Sequence, residues 1–200
     1  MKAEETLKLG SFTAEIIQDD DAQSPADSGD HGLFLVANHR QFCVAAPGEK
    51  RAPEDPEEIV ERYKKTHWIF GLEAYIHSGV HLSLSGCGNY PDRRWDVSQL
   101  GFVFASKKEW RLSAKARLAA ESLVGEWNKY LCGDVWGYRV EDADGKELVA
   151  CWGFYGLECC KEEAMGILKC YVDKERKDRL AKLKSYIRSR VPLQHRFATA

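Results

Sequence analysis

Residues 133–156 read GDVWGYRVEDADGKELVACWGFYG, and this stretch decides the fold class. Val135 to Val140 and Leu148 to Trp152 are short runs of β-branched and aromatic residues, with Asp142-Ala-Asp-Gly145 between them. Asp-Gly is a strong hairpin signal, because Gly takes the left-handed backbone without steric cost and Asp bonds to its own turn. The stretch predicts two antiparallel strands, with Trp136 and Trp152 paired across them. Gly153-Phe-Tyr-Gly156 predicts a tight turn that packs Phe154 and Tyr155 on a core. A final helix is expected from about Glu158 towards Arg190, with a break near Val172 and a stop at Pro192.

Working outward, the same punctuation recurs. Phe12 to Gln18 (FTAEIIQ) and Leu33 to Asn38 (LFLVAN) predict strands, the second central because it is apolar throughout. Asp55, Pro56, Glu57 and Glu58 predict a helix start: an aspartate cap, a proline in the first turn, and acids at the positive end of the dipole. Leu72 to His77 and His81 to Leu84 alternate as strands around a turn at Ser78-Gly79, and Gln99 to Ala105 adds another. A helix is expected from Ser106 to about Leu131, with Leu118, Leu123, Val124, Trp127 and Leu131 at helical spacing and Gly133 as its stop. Two Gly-turned hairpins without regular βα alternation predict an α+β fold, an antiparallel or mixed sheet packed by helices with a basic C-terminal helix. The expected layout is one domain over 1–168 and a basic helical extension over 169–200.

The bulk chemistry excludes several classes. The 200 residues are 44% hydrophobic and 30% charged, which is a globular balance. No run of about 18 apolar residues predicts a membrane span, and the first residues lack the apolar core of a secretory signal. Seven cysteines without such a signal read as reduced thiols in a cytoplasm. Charge is polarised. Residues 1–58 hold 13 acids and 5 bases, whereas residues 168–200 hold 10 bases and 3 acids.

Candidate chemistry follows from these clusters. Asp19, Asp20, Asp21, Asp27 and Asp30 form an acidic loop that would hold a hard cation or a basic partner. It lacks the alternate-residue spacing of a calcium loop, so no metal is assigned. His77 and His81 are four apart but fall on a hairpin, where one strand would separate them by about 13 Å. His39 and Cys43 lie close in sequence, but no Cys-x-x-Cys pair completes a zinc site. Cys87, between two glycines, is the best thiol nucleophile, with His77 or His81 as its base. No phosphate-cradling glycine loop occurs, and no cofactor is expected. Arg176, Lys177, Arg179, Lys182, Lys184 and Arg188 make the terminal helix either a contact surface for a partner or for nucleic acid, or an element that docks on its own domain with its basic end against the acidic one. Its apolar set is Tyr171, Val172, Leu180, Leu183 and Ile187.

Five segments together resemble a family of uncharacterised proteins encoded by bacteriophages and other mobile elements. They are Asp20 to Pro25 (DDAQSP), His77 to Ser83 (HSGVHLS), Trp95 to Phe104 (WDVSQLGFVF), Gly133 to Asp142 (GDVWGYRVED) and Cys151 to Gly156 (CWGFYG). The resemblance runs from about Phe12 to about Ala164. The family's Asp-Asn-Leu-Gly segment stands here as Asp30-His-Gly-Leu33. What the resemblance implies is genomic context: small accessory proteins of this kind act in the host cytoplasm by binding a host or defence protein. The leading expectation is thus a non-catalytic binding protein, a phage or mobile-element accessory or counter-defence factor. A metal-dependent or thiol hydrolase, and a nucleic-acid-binding module using the basic tail, stand as alternatives.

Overall fold

In the computed structural model, residues 3–28, 32–40, 42–53, 55–76, 79–88, 90 and 96–190 are described. The fold is α+β, with two antiparallel sheets. The chain divides into two compact units, residues 1–19 with 136–200, and residues 20–135.

The first unit is built from both ends of the chain. Strands β1 (Glu5–Leu9), β2 (Phe12–Gln18), β8 (Val135–Glu141) and β9 (Glu147–Tyr155) form a sheet in the order β1-β2-β8-β9. The predicted turn closes β8 onto β9. Asp142 Oδ1 accepts from the N–H groups of Asp144 and Lys146, each at 3.0 Å, and Gly145 has φ +77°. Helix α3 (Leu157–Arg190) covers one face. Strand alternation turns Ala14, Ile16, Tyr138 and Val140 towards it, and Cys160, Ala164 and Leu168 meet them at four-residue spacing. On the opposite face Arg139 faces Glu15 in register and donates to it at 2.6 Å.

Three expectations need correction here. β1 lies where local sequence predicts no element; its polar alternation ETLKL is too weak a signal to read alone. Gly153, Phe154 and Tyr155 belong to β9 and do not form a turn. Gly153 at φ +84° lets the strand continue, and only Gly156 at φ +99° turns into the helix. Phe154 does pack on Tyr138, ring centroids 5.5 Å apart. Trp152 lies over Gly137, where a Cβ would stand 2.1 Å from its ring. Finally, α3 is continuous through Val172 for 34 residues. The charged run from Asp173 to Arg179 that suggested a break is the solvated continuation of a good helix former, with no proline to interrupt it. The helix crosses residue 168 unbroken; Pro192 falls outside the described residues.

The second unit holds a five-stranded sheet in the order β4-β3-β7-β5-β6, formed by β3 (Leu33–His39), β4 (Phe42–Val44), β5 (His67–Ile76), β6 (Val80–Leu84) and β7 (Val97–Ser106). Helix α1 (Pro56–Tyr63) starts as predicted, with Asp55 accepting from Glu57 N–H at 2.9 Å. Both faces of the sheet are covered, which explains the unbroken apolar run of β3. Leu35 and Ala37 face α2 (Ser113–Leu131), and Phe34 and Val36 pack with Ile59 of α1. The turn at Ser78 lies outside the described residues, as do His77, Asp30 and Trp95.

Helix α2 begins seven residues after the expected Ser106. Residues 107–110 are held in a turn by tertiary bonds: Lys107 Nζ donates to the carbonyls of Lys64 and Lys65, and Trp68 Nε1 donates to the Trp110 carbonyl at 2.8 Å. Leu118 is 66% exposed; the buried stripe is Ala116, Ala120, Leu123, Val124 and Trp127. Small alanines, not the nearest leucine, bring the helix down onto the sheet.

Two outcomes test this packing. A Cβ on Gly101 would stand 2.0 Å from the Val36 carbonyl oxygen, a backbone atom that cannot swing away. Gly101→Ala should therefore cost roughly 3 kcal/mol or more in urea unfolding. Cys160 is fully buried, and burial above all, with Cys159 and Cys151 nearby, pushes its thiol up to about 12. The folded thiol then keeps its proton at pH values where the unfolded one, at 9.0, loses it. Stability should fall as pH rises from about 9 towards 12, and Cys160→Ala should flatten that fall. At pH 8, alkylation of the native chain should spare Cys160 and label the six exposed cysteines.

Candidate functional site

Of the two predicted contact surfaces, the basic helix is the one the fold turns into an extended feature. From Asp173 to Arg190 every residue of α3 is exposed, a length of about 27 Å. Arg176, Lys177, Arg179, Lys182, Lys184 and Arg188 all lie on this segment, and none forms an ion pair among the described residues. Residues 174–190 carry eight bases against Glu175 and Asp178. Among these charges Leu180, Leu183, Tyr186 and Ile187 are 48–57% exposed. Such side chains at three- and four-residue spacing form a stripe of the kind that a partner buries.

Beside this stripe runs an open groove of ≈ 980 Å³ within the first unit. Phe12, Leu148, Tyr171, Leu183 and Tyr186 give it an apolar and aromatic lining, and Lys174, Arg179 and Lys182 line it together with Asp142, Glu175 and Asp178. The Phe12 and Tyr171 rings lie 5.5 Å apart. The β1–β2 turn is tied to the helix, since Ser11 Oγ donates to Glu175 Oε2 at 2.9 Å and Gly10, at φ +62°, sits against Val172. The stripe was legible from spacing alone, Tyr186 excepted. Phe12 and Leu148 were not, because residues 12, 148 and 171 meet only when β2, β9 and α3 are assembled.

The acidic residues fall in both units. Asp19 belongs to the first unit and is half-buried, whereas Asp20, Asp21 and Asp27 belong to the second and are exposed. Asp27 sits on the 3-10 turn Pro25–Ser28; Asp30 lies outside the described residues. Among the described residues, no three His, Cys, Asp or Glu side chains gather so as to hold a metal ion.

The thiol candidates separate likewise. Cys87 takes a contact of 2.8 Å from Arg117 Nη2, and His81 Nδ1 lies 3.2 Å from the Tyr90 hydroxyl. His77 lies outside the described residues. Cys43 Sγ donates to the backbone carbonyl of His39, so their closeness is a local turn bond. Cys159 and Cys160 point to different sides of α3, one exposed and one buried. Glu73, 6% exposed on β5, is the one acid buried among the described residues; Ser83 Oγ lies 3.4 Å from it. Alternation in LEAYI assigns that face to solvent, and only the tertiary fold covers it.

No helix of the described residues is long and apolar enough to cross a membrane. Comparison of the chain with protein-family models, with curated proteins and with solved structures returned no match.

Proposed function

We propose that this chain is a non-catalytic binding protein that acts by protein–protein contact through the exposed half of α3, as an accessory or counter-defence factor of a phage or mobile element. One observation carries the contact surface. Four large apolar side chains stand exposed along a segment with a net charge of +6, beside a groove with an apolar and aromatic lining. An isolated exposed leucine needs no explanation, but a stripe of four with an adjoining groove does. Its charge favours an acidic partner that carries its own apolar residues, and it disfavours pairing with a second copy of the same helix. The genomic context rests on the resemblance of the five quoted segments. Action in a reducing cytoplasm is supported by the seven cysteines, all free thiols.

Affinity capture from a bacterial lysate tests the reading. The wild-type chain should retain a stoichiometric, acidic protein, and Leu183→Asp with Ile187→Asp should weaken that capture at least tenfold. Both residues are exposed, so the variant should keep the wild-type circular dichroism and melting temperature. Loss of no partner, or capture of none, would overturn the proposal. Capture of nucleic acid in place of protein, weakened by salt and by Lys177→Glu, Lys184→Glu and Arg188→Glu together, would move the function to the nucleic-acid reading.

A further inference from the structure

The two margins of the five-stranded sheet are finished differently. At the β6 margin the backbone of Leu82 would be unpaired, but the Asn128 side chain completes it. Its Nδ2 donates to the Leu82 carbonyl at 2.9 Å, and its Oδ1 accepts from the Leu82 N–H at 2.7 Å. The other margin has no such device. Ser106 N–H donates to the Gly32 carbonyl, and Leu33 pairs with Ala105. Antiparallel bonding alternates residue by residue, so Phe34 and Val36 exchange bonds with β7 while Leu33, Leu35 and Ala37 turn theirs the other way. Ala37 finds Val44 of β4 there. β4 then stops, and the chain curls into a turn in which Glu49 N–H donates to the Ala46 carbonyl at 3.0 Å. Among the described residues nothing bonds the outward N–H and C=O of Leu33 and Leu35. Leu35 is 3% exposed, and a buried unpaired peptide group is costly.

These two backbones border a cavity of ≈ 290 Å³ that lies wholly in the second unit. Its deep side is apolar, from Leu123 and Trp127. Asp27, which is exposed, and Glu49, which is half-buried, also line it. Glu49 is paired with Arg62, whereas Asp27 has no ion pair among the described residues. Taken as liquid volume, the space admits on the order of ten non-hydrogen atoms.

The geometry points to a binding site for a free peptide N-terminus whose first residue is apolar. The main chain of the bound segment adds beside β3 as a short strand where β4 has ended, exchanging bonds with Leu35 and Leu33. Its first side chain lies against Leu123 and Trp127, and its ammonium faces Asp27. Each feature of the cavity is thereby used: an amide for the unpaired strand margin, an apolar group for the wall, and a cation for the carboxylate. This site is separate from the surface on α3, and its test is independent of any partner found there.

Leucinamide and the dipeptide leucyl-alanine amide are the probes, titrated into the full chain by calorimetry and by amide NMR. Both should bind saturably, with the dipeptide the tighter, and should shift the Leu33 and Leu35 amide resonances. Acetylating the probe's amine and changing Asp27→Asn should each weaken binding about tenfold, as removal of one charge-assisted bond implies. Ala45→Phe, which fills the half-buried rim, should abolish it; a melting temperature within a few degrees of wild type shows that the variant folds. Failure of both probes to bind at millimolar concentration would overturn the site. So would equal affinity for the acetylated probe, or shifts confined to residues away from the cavity. If Ala45→Phe does not fold, the Asp27→Asn and acetylation results decide alone.

Discussion

The pairing of β2 with β8 is the constraint on which the remainder depends. It joins residues 13–18 to residues 136–141 in unbroken antiparallel register, from Thr13 opposite Glu141 to Gln18 opposite Trp136. Everything between those strands, including the whole five-stranded sheet, is carried as one long excursion. Closing such a loop costs entropy that grows only slowly with length, so the excursion is tolerable once the sheet is made. The same pairing sets the first unit's face for α3. Ala14 and Ile16 come from one end of the chain, and Tyr138 and Val140 from a strand more than a hundred residues later. Neither hairpin alone offers the helix enough apolar surface; together they bury Cys160, Ala164 and Leu168 completely.

Helix α3 then divides its length between two tasks. As far as Leu168 its stripe is small and apolar and lies on the sheet. Beyond Tyr171 and Val172 the residues at the same positions become charged, and the apolar side chains shift round the helix to Leu180, Leu183 and Ile187. A helix that only had to cap its own sheet would stop where the sheet stops. This one continues in water, with bases that form no ion pair among the described residues and leucines that stay exposed. That combination suits recognition better than internal packing.

The second unit shows the converse economy. Its sheet is buried on both faces, so its margins are where polar backbone has to be satisfied. Asn128 is a side-chain solution at β6. At β3 the solution is incomplete, because β4 is three residues long and the chain turns away at Ala46. The short strand, not the sheet itself, is the source of the cavity.

Local chemistry determined a good deal by itself. The Asp142–Gly145 hairpin, the Asp55 cap, the strands at Phe12–Gln18 and Leu33–Asn38, the α+β class and the apolar spacing of the last helix are legible because each depends on residues within a few positions of one another, whereas the exposure of that helix's stripe is not. Tertiary structure alone decided the delayed start of α2, which rests on Lys107 and Trp68 bonds to distant backbone. It also decided the burial of Ala116 and Ala120 in preference to Leu118, and the meeting of Phe12, Leu148 and Tyr171. The division into two sheets belongs here too, as does the unpaired margin at Leu35. These depend on which strand lies beside which, and strand neighbours are chosen by the burial of the whole chain. No window of sequence records that choice.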